Sequence, residues 1–224
     1  MRLISKKLFK PADNPSPDWP FAMNKSEIGM VYFDVGDVLA RHQGGLDALS
    51  EMLGVSLPEL TKEWQVLCKQ GNTGKIVTQT LWNSLKLTFN YQGQYVDFLD
   101  FWLAFLKPIS EAHDLLIDIS RVVSIGLLTN LFPGMYAELL RRADIPNIPY
   151  LTSVVSCDVK IAKPDQGIFK IAEDRINISP DRILFIDDNS ENIAVANRRH
   201  WHTVHFNPDE PTDSIHEART ILRI

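Results

Sequence analysis

Four short polar stations in this chain each follow or adjoin an apolar run. Asp34, Gly36 and Asp37 lie in Phe33-Asp34-Val35-Gly36-Asp37-Val38-Leu39, and Thr129 and Asn130 close the run ending at Leu128. Lys163 opens Lys163-Pro164-Asp165, and Asp187 and Asp188 close Phe185-Ile186. Taken singly these are ordinary residues. An Asp after a strand is often a helix cap, Thr-Asn is common in turns, and a Lys before a proline is usually solvated. Asp187-Asp188 carries more information, because adjacent carboxylates beside an apolar run repel unless a cation or hydrogen-bond donors offset them. Carboxylates from neighbouring strand ends can hold Mg²⁺, which takes oxygen ligands and typically one or two carboxylates plus a substrate phosphate. Lys163 adds positive charge against such a phosphate, and the Thr129 hydroxyl adds a hydrogen-bond donor.

The surrounding pattern supplies elements to position these groups. Apolar runs at 30–33, 122–128, 151–155, 183–186 and 203–206 predict buried strands. Helical patterns separate the later ones. Ser110 heads a helix carrying Ala112, Leu115, Leu116 and Ile119, and further helices are expected at 133–142, 164–174 and 190–199. This alternation predicts a doubly wound parallel sheet, Rossmann-like, with helices on both faces. Ligands of such sheets bind beyond the carboxyl ends of the strands, where the polar stations fall. The stretch 44–107 breaks the alternation. It predicts helices at 46–53, 58–69, 78–89 and 94–106, with Gly54 and Gly71 as stops, and with Trp64, Trp82, Trp102 and Phe105 packing a small helical bundle.

Composition narrows the classes of function. The 224 residues are 45% hydrophobic and 23% charged, an ordinary globular balance. A net charge of −5 makes no electrostatic case for nucleic acid or an anionic membrane, so an anionic ligand needs a local gathering of positive charge. Two distant cysteines, Cys68 and Cys157, do not make a disulfide framework and suit a reducing, cytoplasmic setting. No apolar run is long enough to span a bilayer. The first residues carry Lys6, Lys7 and Lys10 among Pro11, Pro15, Pro17 and Pro20, and read as a flexible tail over 1–27. Met23 is a candidate alternative start.

The order and local context of the stations closely resemble the haloacid dehalogenase-like hydrolase superfamily. That family has an Asp nucleophile after its first strand, a Ser or Thr after its second, a Lys before a helix, and one or two acids after a later strand. FDVG, LLTN, KPDQGIF and ILFIDDNSENI follow that order here, and the resemblance covers about residues 29–206. It implies an α/β core at 28–43 and 108–224 with a helical cap at 44–107. It implies Asp34 as nucleophile, Thr129, Asn130 and Lys163 on a substrate phosphate, and Mg²⁺ held by Asp34, the Gly36 backbone carbonyl and Asp187, with Asp188 acting through water. The expected activity is hydrolysis of a small phosphate monoester through an aspartyl-phosphate.

One position departs from the pattern. Many phosphatases of this superfamily carry a second Asp two residues after the nucleophile, as the leaving-group acid, and here that position is Gly36. A branch with Gly there, FD-x-G-x-V, resembles this chain and is related to sugar-1-phosphate phosphatases. Asp37 and His42 are candidate surrogate acids, although Asp37 is expected to be a turn residue facing away. Two alternatives follow from Gly36. One is a 2-haloacid dehalogenase, which also lacks the second Asp but is expected to be less acidic at 187–188. The other is a binding protein that has kept the fold without the reaction.

Overall fold

The computed structural model describes residues 27–224, so the expected tail at 1–27 lies, but for Glu27, outside the described residues. The chain runs β1 (Met30–Phe33), β2 (Ala40–His42), α1 (Gly45–Leu53), α2 (Leu57–Asn72), α3 (Thr78–Thr88), α4 (Phe98–Leu103), β3 (Leu106–Pro108) and α5 (Ser110–Ser120). It continues β4 (Ser124–Thr129), α6 (Met135–Arg141), β5 (Thr152–Val155), α7 (Ser156–Val159), α8 (Gln166–Asp174), β6 (Ile183–Asp187), α9 (Ser190–Arg198), β7 (His202–His205) and α10 (Pro211–Leu222). Five strands form one sheet in the order β5-β4-β1-β6-β7, and all four pairings are parallel. The doubly wound α/β fold is therefore present.

Strand alternation explains the two layers. Val31 and Phe33 of β1 face a core with Leu115, Leu116 and Ile119 of α5 and Ala218 and Leu222 of α10. Met30 and Tyr32 face the opposite core, with Ile168, Phe169 and Ala172 of α8, Val195 and Ala196 of α9, and Trp201. Successive side chains of a strand point to opposite faces, so a strand covered on both sides reads as one apolar run. Phe33 pairs with Leu127 on one side and Ile186 on the other. That register brings the carboxyl ends of β4, β1 and β6 level.

Helices α1–α4 sit between β2 and β3, which pair antiparallel with His42 opposite Leu106. These three-residue strands were not expected, since so short a run shows no period. Their pairing shortens the fourth helix expected at 94–106. Asp97 caps α4 by accepting from the backbone N–H groups of Leu99 and Asp100 at 3.1 and 3.2 Å, and Leu106 leaves the helix to join β3. In α2, Ser56 and Glu59 form a capping box, with the Glu59 carboxylate accepting from the Ser56 backbone N–H at 3.1 Å. Gly54 does end a helix, at φ 68. Gly71 does not stop its helix as expected. It lies inside α2, where an added Cβ would stand 2.7 Å from Cδ1 of Phe132. The helical insert thus approaches the loop after β4 closely, and Trp64 of α2 meets Phe132 edge-on at 6.1 Å. Behind this contact Trp64, Trp82 and Trp102 pack around Phe98, as expected of the three tryptophans, while Phe105 lies against His42 and Phe101. Among the described residues no helix is long and apolar enough to cross a membrane.

Candidate functional site

The level strand ends deliver three of the four polar stations together. Asp34 follows β1 directly, its backbone N–H bonding to the Ile186 carbonyl at 2.9 Å, and Asp187 is the last residue of β6. Lys163 comes from the loop between α7 and α8, and its ammonium joins the two: Nζ lies 2.9 Å from Asp34 Oδ2 and 2.6 Å from Asp187 Oδ2. The Lys163 side chain is 1% exposed, the reverse of the solvated lysine its proline neighbour suggests. Thr129 ends β4 beside them, fully buried. Its hydroxyl has no hydrogen-bond partner. A buried unsatisfied hydroxyl costs about 1–3 kcal/mol.

The two adjacent acids have different surroundings. The Asp187 carboxylate is saturated: Oδ2 accepts from Lys163 Nζ and, at 3.1 Å, from Asn192 Nδ2, while Oδ1 accepts from Asn192 Nδ2 at 2.9 Å and the Asn189 N–H at 2.8 Å. Asp188 is half-buried, and its backbone carbonyl accepts from His205 Nε2 at 2.7 Å. One oxygen from each of Asp34, Asp187 and Asp188 lies within 4.8 Å of the others, a group that could hold a metal ion. Burial raises the Asp34 carboxyl to about 7 against the pull of Lys163, with Asp187 and Asp188 adding to the rise. Burial, then Asp187 and Asp37, raise Asp188 to about 6. Burial works against the Lys163 ammonium, yet Asp34 and Asp187 outweigh it and hold the amine charged. Three carboxylates thus face one ammonium, and the surplus negative charge is what a hard cation would neutralise.

The remaining candidates are placed as follows. The Asn130 carboxamide bonds to both backbone polar groups of Lys163, accepting from its N–H and donating to its C=O, each at 2.9 Å. Asp37 sits in the turn after Gly36 at φ 50. Burial raises its carboxyl, while Arg41 and the His42 backbone N–H pull it down. Its charge also adds to the rise of the Asp188 carboxyl. The His42 ring stacks on Trp102 at 3.8 Å, with Nε2 buried and unpartnered, and burial lowers its pKa. Gly36 is exposed, and a Cβ built there meets nothing within 4 Å.

A family model described as haloacid dehalogenase-like hydrolase matches residues 31–198. The chain belongs to the haloacid dehalogenase-like hydrolase family. Solved structures share the fold at low sequence identity. A HAD family enzyme of Bacteroides thetaiotaomicron, in complex with magnesium and inorganic phosphate, superposes with TM-score 0.68 at 19% identity, over 81% of this chain and 95% of that one. A HAD phosphatase of Thermococcus onnurineus gives TM-score 0.62 at 18% identity over 87% and 98%. The L-2-haloacid dehalogenase of Xanthobacter autotrophicus gives 0.59 at 16% over 80% and 77%. Among curated proteins, acyl-CoA dehydrogenase family member 10 of Mus musculus is 26% identical over 130 residues, 51% of this chain. The chain spans 12% of that relative's length.

Two residues of this HAD-like site escaped the sequence. Asn192, on the first turn of α9, holds both oxygens of Asp187, and its position five residues after an acid was the available signal. Ser156 is buried and accepts from the Leu131 N–H at 3.2 Å, pinning the loop after Thr129. A serine between Val155 and Cys157 gave no such sign.

Proposed function

We propose that this HAD-like hydrolase is a Mg²⁺-dependent phosphatase of small phosphorylated molecules. The observation that carries the reading is the buried Asp34–Lys163–Asp187 cluster beside the orphaned Thr129 hydroxyl. The donor set suits a hard cation, being three carboxylates incompletely balanced by one ammonium. Asp187 is already saturated, so Asp34, the Gly36 carbonyl and Asp188 are the better ligands, with Asp187 serving to anchor Lys163. This refines the expectation that Asp187 binds the metal and Asp188 acts through water. Bound there, Mg²⁺ would supply positive charge against the phosphate and the attacking carboxylate.

The chain's own residues then have distinct tasks. The Val35 N–H donates to Asp34 Oδ1 at 2.7 Å and fixes the orientation of the carboxylate. Asp34 attacks phosphorus and forms an aspartyl-phosphate, the leaving oxygen departs, and water resolves the intermediate. Lys163 neutralises charge on the transferring group, and Thr129 donates its free O–H to a phosphate oxygen. Both act by positioning and electrostatics, which dominate phosphoryl transfer. The dehalogenase reading rests on the lack of an acid at Gly36, and the Asp187-Asp188 pair weighs against it. A panel of phosphate monoesters, assayed with Mg²⁺ and with chelator and including a 2-haloacid, tests this. Mg²⁺-dependent phosphate release is expected, and halide release indifferent to chelator would overturn it.

A further inference from the structure

Asn130 follows Thr129, and its amide is the type of group that binds phosphate oxygens. Its geometry gives the amide another task. Both ends of the carboxamide are committed to one residue, Lys163, across 33 positions of sequence. An amide that accepts from the N–H and donates to the C=O of the same residue acts as a short substitute strand. It fixes the backbone of that residue in both position and rotation. Lys163 needs such a hold. Its loop has no strand partner, Pro164 has no N–H to give, and yet its ammonium must arrive, fully buried, between two carboxylates 2.9 and 2.6 Å away. The loop that carries Asn130 is itself held, by the Leu131 N–H on buried Ser156.

We propose that Asn130 is a positioning residue that clamps Lys163, so that the threonine and the lysine of the site are held at one fixed spacing. The clamp rests on the phosphatase reading only for its effect on turnover. Its effect on the lysine stands apart from that reading. The ammonium pairs with Asp34, a carboxylate that would also hold the metal under the proposed function. Releasing Lys163 therefore has opposite effects on two measurable quantities. It relieves competition for Asp34, and it removes charge from the phosphate.

The test uses Asn130→Ala, Asn130→Asp, Lys163→Met and the double variant Asn130→Ala/Lys163→Met, in the full chain. Asn130→Asp keeps an acceptor for the Lys163 N–H and loses the donor to its C=O, so it gives a milder case if the alanine variant folds poorly. Mg²⁺ affinity by calorimetry is expected to tighten in Asn130→Ala, while kcat/KM falls about 10–100-fold, the range for partners that orient a site. In the double variant both values should equal those of Lys163→Met alone, because without the ammonium the clamp has nothing to position. A merely structural role would weaken Mg²⁺ and turnover together and would add to Lys163→Met; either result overturns the proposal. A crystal structure of Asn130→Ala or Asn130→Asp decides the geometry without reference to activity. Nζ displaced from Asp34 and Asp187 supports the clamp, and Nζ unmoved refutes it. A wild type that releases no phosphate from any ester sinks the phosphatase reading while leaving this structural arm decisive.

Discussion

Gly36→Asp places a carboxyl where the superfamily's phosphatases commonly carry their leaving-group acid, and its cost here can be worked out. No atom lies within 4 Å of the added Cβ, so the first atom of the new side chain meets open space. Gly36 is not among the positive-φ glycines, so a side chain is compatible with the backbone and the loss of glycine's unfolded-state freedom contributes about 0.4–1 kcal/mol of stability. The new charge lies beside Asp37, but at an exposed position, where such pairs cost up to about 1 kcal/mol. These terms nearly cancel, and the melting temperature should move by no more than about 4 °C. The kinetic effect is larger and selective. General acid catalysis is worth about 10²–10⁴, or about 3–5 kcal/mol of barrier. It matters most when the departing oxygen is basic. The wild type should therefore favour phosphate esters with acidic leaving groups, such as anomeric, aryl and acyl phosphates, and its aspartyl-phosphate should hydrolyse slowly enough to give a burst. Rapid-mixing measurement of the phosphorylation step across a series from nitrophenyl to alkyl phosphate should give a steep dependence on leaving-group acidity. Gly36→Asp should flatten it, gaining about tenfold or more on alkyl esters and little on nitrophenyl. A flat wild-type series would refute the reasoning. So would a loss near 10²–10⁴ in Asp37→Ala, since Asp37 would then be the acid.

Further outcomes are expected. Asp34→Asn should lower turnover by roughly 10⁴-fold or more, as loss of a nucleophile does, with circular dichroism unchanged; turnover retained in that variant would remove Asp34 from the mechanism. Asp188→Asn should weaken Mg²⁺ about 10–100-fold in calorimetry with little loss of stability. Asp187→Asn instead strips a buried ammonium of one partner and should cost about 3 kcal/mol or more in urea unfolding; the reverse pattern would restore Asp187 as the principal ligand. Gly71→Ala should cost about 1–3 kcal/mol from overpacking against Phe132, despite alanine's advantage of about 1 kcal/mol in a helix, and a more stable variant would show that the insert moves aside freely. Finally, Asp34 and Asp188 are raised to about 7 and about 6 when folded, against about 3.9 unfolded. The folded state then binds more protons, so stability from these groups is fully present below about pH 4 and is lost as pH rises through 6 and 7. Melting curves of the metal-free protein should show this loss between about pH 4 and 7 relative to the same protein with saturating Mg²⁺, and parallel curves would refute it.

What the sequence made legible follows from the geometry of parallel sheets. Asp34, Thr129 and Asp187 each end or follow an apolar run, and a parallel sheet aligns carboxyl ends, so their convergence was readable before any register was known. The Phe33–Ile186 pairing supplies the register. Lys163 was legible as a residue type but not as a buried one. Its backbone is bonded to Asn130, 33 residues earlier, and no local pattern encodes a contact made by two loops. The same holds for β2 and β3, whose pairing needs the whole insert between them to fold back, and for Gly71, which reads as a helix stop until Phe132 is seen against it. Gly36 is the instructive case. In sequence it is only an absence, and an absence can mean either that the space is filled by something else or that it is open. The structure finds it open, with Asp37 drawn toward Arg41 and the His42 N–H, and the His42 ring stacked on Trp102. Under the proposed phosphatase function, both surrogate acids being held in this way leaves acidity at the leaving oxygen to the substrate, which makes leaving-group dependence the property that most directly tests this site.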